Sequence, residues 1–170
     1  MNRPDTNEFA PYYGKYIGLV PDGSIVPFLK NQMATTLDYL RSIPSEKWTY
    51  AYEPGKWTLA ESWIHVIDTE RIFAYRALRI GRGDKTALPG FDQDEYVPNS
   101  DANNRTAASI IAEFEAVRAA TLSFFEHCTD QMWTEIGQAS NNPVSTRALA
   151  FIIAGHVEHH IKITNERYLP

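Results

Sequence analysis

Residues 145–163 read STRALAFIIAGHVEHHIKI, and this stretch sets the architecture expected of the whole chain. Its apolar residues recur every three or four positions, which predicts an amphipathic helix that begins at the capping residue Ser145 and ends near Tyr168. A helical residue advances by about 100°, so His156 and His160 lie about 40° apart around the helix. Both belong to its inward face, because three apolar residues fall within about 40° of His156: Leu149, Ile152 and Ile163.

Two inward imidazoles one helical turn apart are costly to bury unless their nitrogen atoms find partners. A shared divalent ion would satisfy both, and a third ligand must then come from elsewhere in the chain. The best remaining donor is His65, within ESWIHVID at residues 61–68. His159 lies about 60° from His156, so it is the weaker ligand and suits a rim or outer position. The alternative for each histidine is a partly buried, hydrogen-bonded residue that binds no metal.

The rest of the sequence predicts three further helices with unequal connections. Thr58 and Glu61 form a capping-box pattern at the start of one of them. Residues 1–23 mix prolines, glycines and tyrosines and are expected to be irregular, whereas residues 82–104 are expected to form a long loop. Period-two alternation is not sustained anywhere, although residues 131–137 fit a short extended piece. The four predicted helices, which favour an all-α four-helix bundle with long inter-helix loops, span residues 24–43, 58–80, 105–127 and 145–168.

Composition argues against several classes of protein. The 170 residues, of which 44% are hydrophobic and 22% charged, are ordinary for one soluble domain covering residues 1–170. A net charge of −5 without a basic run argues against a nucleic-acid partner. The single cysteine, Cys128, excludes an internal disulfide framework and a cysteine-rich metal site. The N-terminus has no apolar signal core and no apolar run has membrane-spanning length, so we expect a cytoplasmic protein without a membrane partner.

Six short motifs are distributed along nearly the whole chain: APYYGKY (10–16), PGKWT (54–58), HVIDTER (65–71), GFDQD (90–94), VS (144–145) and GHVEHH (155–160). Together they resemble the DinB-like family, and more narrowly its DinB-2 branch, which includes bacillithiol transferases and proteins regarded as metal-dependent hydrolases. The resemblance implies a four-helix bundle that holds a metal ion through His65, His156 and His160. One departure is IKI at residues 161–163, where many relatives have Arg-Gly-Gln. It affects the substrate contacts expected there rather than the three ligands.

Three neutral imidazoles would leave a tetrahedral ion with one open position, whereas structural zinc sites are usually closed by four protein ligands. An open site can make hydroxide available from water, which favours hydrolysis, or bind a thiol as thiolate, which favours thiol transfer. We expect one divalent ion per chain, zinc first, with nickel, manganese or iron as alternatives. The protein would act on a small-molecule substrate, with a low-molecular-weight thiol as cosubstrate for the transfer reaction. The alternative is a non-catalytic metal-binding or stress-response protein whose ion stabilises the bundle.

Asp68 is the candidate catalytic residue. It lies about 60° from His65 on the same predicted helix, so it could accept a proton or orient a ligand. The alternative is an ion pair with Arg71 on the helix surface. Three residues of the long loop could rim a pocket, although solvated positions are the ordinary expectation for them: Asp92, Asp94 and Tyr96.

Aromatic residues suggest self-association. The tyrosine-rich segment at residues 1–23, together with exposed tryptophans, would offer surface of the kind enriched at protein interfaces. The family resemblance also implies a dimer, so we expect a homodimer. The four tryptophans, which could instead fill the core or line an apolar substrate cavity, are Trp48, Trp57, Trp63 and Trp133.

Overall fold

The computed structural model describes residues 2–169, and four long helices form its frame. They are α2 (Ile25–Ser42), α3 (Leu59–Gly81), α5 (Ala107–Phe125) and α7 (Thr146–Ile163). Of three short helices, α1 (Gly14–Ile17) precedes this frame, whereas α4 (Gln93–Tyr96) and α6 (Asp130–Thr134) lie in the connections. Because α3 packs against α5 and α7, and α2 packs against the same two helices, the predicted all-α bundle is confirmed. Within residues 2–169, no helix combines the length and the apolar character that a bilayer crossing requires.

The two helices that carry the candidate ligands begin at side-chain caps, as their sequences predict. The hydroxyl of Thr58 accepts a hydrogen bond from the Glu61 amide at 3.2 Å, and the Glu61 carboxylate accepts one from the Thr58 amide at 2.8 Å. The hydroxyl of Ser145 accepts a hydrogen bond from the Ala148 amide at 2.9 Å. These caps satisfy backbone donors that have no partner inside the helix, and they fix where α3 and α7 start.

The last helix reaches the predicted endpoint by a different geometry. The α-helical part of α7 ends at Ile163 and continues as a wider π-helical turn, Thr164–Tyr168. The hydroxyl of Tyr168 donates to the carbonyl oxygen of Trp57 at 2.9 Å. This contact joins the end of α7 to the segment that leads into α3.

The N-terminal segment, expected to be irregular, contains a 3-10 turn at Pro11–Tyr13 followed by α1. The guanidinium of Arg3 donates to the carbonyl oxygen of Ile17 at 2.7 Å, which closes the segment on itself. The Glu8 carboxylate accepts a hydrogen bond from Nε of Arg147 at 2.7 Å, which ties the segment to the start of α7. The segment therefore lies across the bundle, with α1 packed on α7.

A short hairpin, like the short helices α1, α4 and α6, was not predicted from the sequence. Strand β1 (Ile136–Ala139) pairs antiparallel with β2 (Asn142–Ser145). Of residues 131–137, expected to form a short extended piece, residues 131–134 belong to helix α6 and residues 136–137 to β1. The two connecting residues, Ser140 and Asn141, have φ values of 51° and 62°. Positive φ at both positions is typical of the tight turns that suit a twisted hairpin. Strands of four residues are too short to show a convincing period-two pattern.

The tryptophans were expected to be exposed and to contribute to self-association, and this prediction is wrong. Trp63 lies in the core between α3 and α5, where its ring meets the ring of Phe114 edge to face. Trp57 is half-buried beside His65, with ring centroids 5.0 Å apart. The exposed aromatic side chains are tyrosines, so the homodimer stays a prediction that depends on them. The remaining two tryptophans, also buried, are Trp48 and Trp133.

Candidate metal centre

The packing of α3 against α7 brings three histidines to one point. His65 lies in the second turn of α3, and His156 and His160 lie on successive turns of α7. Their side chains are 6%, 6% and 8% exposed, which confirms the inward face predicted from helical spacing. A single interface between two capped helices therefore positions all three imidazoles.

The Nε2 atoms of the three histidines converge. Nε2 of His156 is 3.2 Å from Nε2 of His65 and 3.2 Å from Nε2 of His160. All three ligand atoms lie within 4.8 Å of one another, and this is the one such group of His, Cys, Asp or Glu side chains in residues 2–169. Nitrogens about 2.0–2.1 Å from a tetrahedral zinc ion are roughly 3.3 Å apart. The donor set therefore fits a divalent ion held by three imidazoles.

Burial keeps these imidazoles in the neutral form that binds metals. It lowers the pKa of His65 to about 4, with a smaller contribution from the positive charge of His159. It also lowers the pKa of His156 and of His160 well below the usual value, and the neighbouring histidines act in the same direction. At neutral pH each ring thus has one unprotonated nitrogen available.

Two hydroxyl groups lie within hydrogen-bond distance of the Nδ1 atoms of two of these rings, on the side away from the centre. Oγ of Ser62 is 3.1 Å from Nδ1 of His160, and Oγ1 of Thr69 is 3.4 Å from Nδ1 of His65. A proton on Nδ1 can be donated to the hydroxyl oxygen, which leaves the Nε2 lone pair directed at the centre. Neither residue was predicted from the sequence to belong to the site. The available signal was spacing, because Ser62 and Thr69 lie three before and four after His65 on the same helix.

His159 stands outside the cluster, as its angular position predicted. It is half-buried, and its ring centroid lies 5.3 Å from that of His160 and 5.3 Å from that of Tyr16. Burial lowers its pKa, and the nearby Lys15 ammonium adds to that effect. His159 therefore forms part of the wall beside the candidate ligands.

Helix α1 forms another wall beside the candidate ligands, and this contact was not predicted from the sequence. The ring of Tyr16 meets the ring of His156 edge to face at 5.3 Å, and its hydroxyl lies 3.3 Å from that of Tyr12. This approach requires Gly155, because a Cβ atom there would overlap the main-chain carbonyl of Tyr16. A glycine in the middle of α7 was the available signal, since an isolated glycine in a helical pattern often permits close packing.

Two adjoining cavities of about 370 and 430 Å³ reach the histidines. The first reaches His65 and His156, and the second reaches His65 and His160. Asp94 lines both, and Asp92 lines the first, so these loop residues rim a pocket, whereas Tyr96 lines neither. The residues that line both cavities are Tyr12, Tyr16, His65, Gln93 and Asp94.

Asp68 lies on a different part of α3. Its carboxylate accepts a hydrogen bond from Arg71 at 3.3 Å, the pairing that the sequence offered as the alternative. It is half-buried, and burial raises its pKa despite the opposing effect of Arg71. It lines neither cavity beside the histidines. Its role as a proton acceptor stays a prediction.

The departure from the family pattern falls at the site. Ile163 lines the second cavity together with Trp57 and Tyr168. Many members of the family that the sequence resembles have Gln at this position. Neither of the neighbouring residues, Ile161 and Lys162, lines that cavity. The substitution therefore gives one wall of this cavity an apolar side chain.

Comparison with known proteins gives a consistent result. A family model described as the DinB superfamily matches residues 29–163. A search of curated proteins found no match. YfiT from Bacillus subtilis, described as "a probable metal-dependent hydrolase with an unusual four-helix bundle topology", superposes with a TM-score of 0.70 at 14% identity over 96% of this chain and 89% of YfiT. A mycothiol-dependent maleylpyruvate isomerase superposes with a TM-score of 0.64 at 10% identity over 81% of this chain, which spans 58% of the isomerase.

Proposed function

The chain belongs to the DinB superfamily, and we propose that its three-histidine cluster is the metal site of an enzyme that acts on a small molecule. The observation that carries this proposal is the convergence of three buried Nε2 atoms at a point that two cavities reach. A site made only to stabilise the fold is usually closed by four protein ligands. Three ligands at the edge of two cavities suit a site where substrate binds.

The residues of the chain have distinct tasks in this proposal. His65, His156 and His160 would hold a divalent ion, with Ser62 and Thr69 fixing the orientation of two of the rings. When bound, the ion would supply Lewis acidity that lowers the pKa of a water or thiol in its fourth position. We propose zinc because it is common in open three-ligand sites, with nickel, manganese or iron as alternatives.

Two cavities that share His65 and each reach one further candidate ligand favour transfer between two substrates. One would take a low-molecular-weight thiol and the other an electrophile. The thiol sulfur would form a bond to the electrophilic carbon, the bond to the leaving group would break with its electrons going to that group, and the thiol proton would pass to an acceptor. The thiol dependence of the similarly folded maleylpyruvate isomerase supports this choice. Hydrolysis is the second candidate, supported by the description of YfiT.

The test combines metal analysis with turnover. Purified protein should contain about one divalent ion per chain, and the metal-loaded form should turn over an electrophile in the presence of a thiol faster than in its absence. Activity on ester or amide substrates without thiol would favour hydrolysis instead. Metal binding that stabilises the fold without turnover in either panel would support the non-catalytic alternative. No metal uptake after reconstitution would overturn the proposal.

A further inference from the structure

Within the described part of the chain, three of the six lysines form no ion pair with a carboxylate. Lys30, Lys85 and Lys162 each lie within 4.0 Å of a glutamate. Within residues 2–169, the other three form no such ion pair, and two of them, Lys15 and Lys56, line the second cavity beside the histidines. The chain as a whole has a net charge of −5, so two ammonium groups beside one cavity make this region more positive than the protein as a whole.

The two lysines reach the cavity from different segments. Nζ of Lys15, in α1, lies 4.0 Å from the ring centroid of Tyr12 and 4.8 Å from that of Tyr16. Contact with two aromatic faces favours a position of the ammonium group at the wall of the cavity. Lys56 lies in the turn before α3, next to Trp57, which lines the same cavity. Two cations from separate elements can thus face one ligand.

The remaining lining combines aromatic and aliphatic side chains with polar groups. Tyr52, Trp57 and Ile163 supply aromatic and aliphatic walls. Asp94 is the one carboxylate that lines the cavity, against the two ammonium groups of Lys15 and Lys56. The cavity therefore combines aromatic walls with an excess of positive charge, and it reaches two of the candidate ligands, His65 and His160.

We propose that this second cavity, of about 430 Å³, binds a small molecule with an apolar body and an anionic group, and that Lys15 and Lys56 hold the anion. Trp57 and Ile163 would contact the apolar body, and the reactive part of the molecule would face the histidines. The orientation of the ligand toward the histidines rests on the proposed function. Its binding by the two lysines does not. An anion between two unpaired ammonium groups gains charge-assisted contacts that a neutral analogue lacks.

The experiment measures binding of matched probes by calorimetry. Phenylacetate and phenyl phosphate carry the same apolar ring with an anionic group, whereas phenylacetamide is neutral. Lys15→Met and Lys56→Met keep side-chain length and remove the charge. We expect the anions to bind more tightly than the amide, and the double variant to lose affinity for the anions by on the order of tenfold to a hundredfold. The two anions compared with each other show whether a carboxylate or a phosphate is preferred.

Lys47→Met is the matched control. Lys47 is the third lysine that forms no ion pair with a carboxylate of residues 2–169. Its Nζ lies 5.1 Å from the ring centroid of Tyr50, and it does not line the cavity. Its variant should bind the probes like the wild type. Equal losses in Lys47→Met and the double variant would overturn the inference, as would equal affinity for phenylacetate and phenylacetamide. Circular dichroism of each variant establishes that the bundle is intact.

Each measurement is made on metal-loaded and metal-stripped protein, which separates this inference from the proposed function. Lysine-dependent anion binding should persist after the metal is removed. If anions bind only to the loaded protein and the lysine variants bind them equally well, the anion coordinates the ion, and this inference fails while the proposed function stands. If lysine-dependent binding is present but no metal is taken up, the proposed function fails while this inference stands.

Discussion

The guanidinium of Arg118 in α5 makes a two-point ion pair with the carboxylate of Glu70 in α3, with both N–O distances at 2.8 Å. Its third nitrogen donates to Oε1 of Gln32 in α2 at 2.8 Å. The amide of Gln32 donates in turn to the carbonyl oxygen of Ala154 at 2.9 Å and to the carboxylate of Glu158 at 2.7 Å, both in α7. Arg118 is 0% exposed and Glu70 3%, so one buried polar network joins all four long helices.

Removing one side of this network should destabilise the bundle strongly. Arg118→Met leaves the Glu70 carboxylate buried without its cation, and we expect a loss of about 3–5 kcal/mol in the free energy of unfolding, measured in urea. Arg41→Met is the control, because Arg41 pairs with Asp38 and Glu115 at the exposed surface and should cost less than about 1 kcal/mol. Equal losses in the two variants would show that the buried network contributes no more than a surface pair.

A second substitution tests the reason for that loss. Adding Glu70→Met to Arg118→Met removes the unpaired buried charge, and replacement of a buried pair by apolar groups is often close to neutral. We expect the double variant to be more stable than Arg118→Met alone, although Oε1 of Gln32 still lacks the donor that Arg118 provided. A double variant that is less stable than the single one would mean that lost packing, rather than an uncompensated charge, causes the effect.

Substitution of the three candidate ligands should affect metal binding, whereas substitution of the neighbouring His159 should not. His65→Ala, His156→Ala and His160→Ala each remove one of three converging nitrogens, and each protein should retain little divalent metal in elemental analysis after dialysis. His159→Ala serves as the control and should keep its metal, because its side chain is outside the cluster. Loss of metal in His159→Ala with retention in His160→Ala would reverse the assignment of the helix face.

The stability of metal-free protein should depend on pH through these histidines. Burial lowers the folded-state pKa of His65 to about 4 from 6.5, so the unfolded chain binds more protons between these values. Stability is therefore complete above about pH 6.5 and falls as the pH drops toward 4. Between pH 7 and 5.5 we expect a loss on the order of 1 kcal/mol per buried histidine, measured by urea unfolding. His65→Gln should show a shallower decline, and an unchanged slope would contradict this account.

The candidate ligands could be predicted because helical spacing is a local property. Residues four apart on α7 share a face whatever they pack against, and the five histidines of the chain leave few choices for a third ligand. The capping patterns at Thr58 and Ser145 are local in the same sense. Packing then decided the outcome by bringing His65 within 3.2 Å of His156, which the sequence could suggest but not measure.

Other parts of the site depend on contacts between distant segments. Arg118 is one of ten arginines, and nothing in its neighbouring sequence marks it as buried, since its partners are Glu70 and Gln32 on other helices. Tyr16 reaches His156 because α1 crosses α7 at one glycine. The cavities arise where the N-terminal segment, the long loop and α7 meet. Sequence periodicity describes single elements, so it does not predict which segments meet.

Asp68 gives a prediction about mechanism. If its carboxylate accepts a proton during turnover, Asp68→Asn should slow the reaction by about 10²- to 10⁴-fold without changing the metal content. Arg71→Gln is the control, because it removes the ion-pair partner and keeps the carboxylate. An unchanged rate in Asp68→Asn would assign this residue to the ion pair with Arg71 alone, in accord with its position outside both cavities.

Gly155→Ala should change the position of α1 beside the site without removing any candidate metal ligand. Alanine favours a helix over glycine by about 1 kcal/mol, so local propensity alone predicts a more stable protein. The added Cβ would overlap the carbonyl of Tyr16, which belongs to the backbone and cannot rotate away. Helix α1 must therefore move off α7, and we expect a net loss of about 1–3 kcal/mol in the free energy of unfolding.

The same displacement should alter the cavities but spare the ligands. Tyr12 and Tyr16 line both cavities, whereas the three histidines belong to α3 and α7, which the substitution leaves in contact. Gly155→Ala should thus keep its metal and lose turnover and probe binding. Gly81→Ala is the control, because its nearest neighbours are side-chain atoms of Phe124 and Thr146 at 3.2 and 3.3 Å, away from both cavities. Wild-type turnover in Gly155→Ala would show that the position of α1 is not part of the mechanism, while loss of metal would show that α1 also holds the ligands in place.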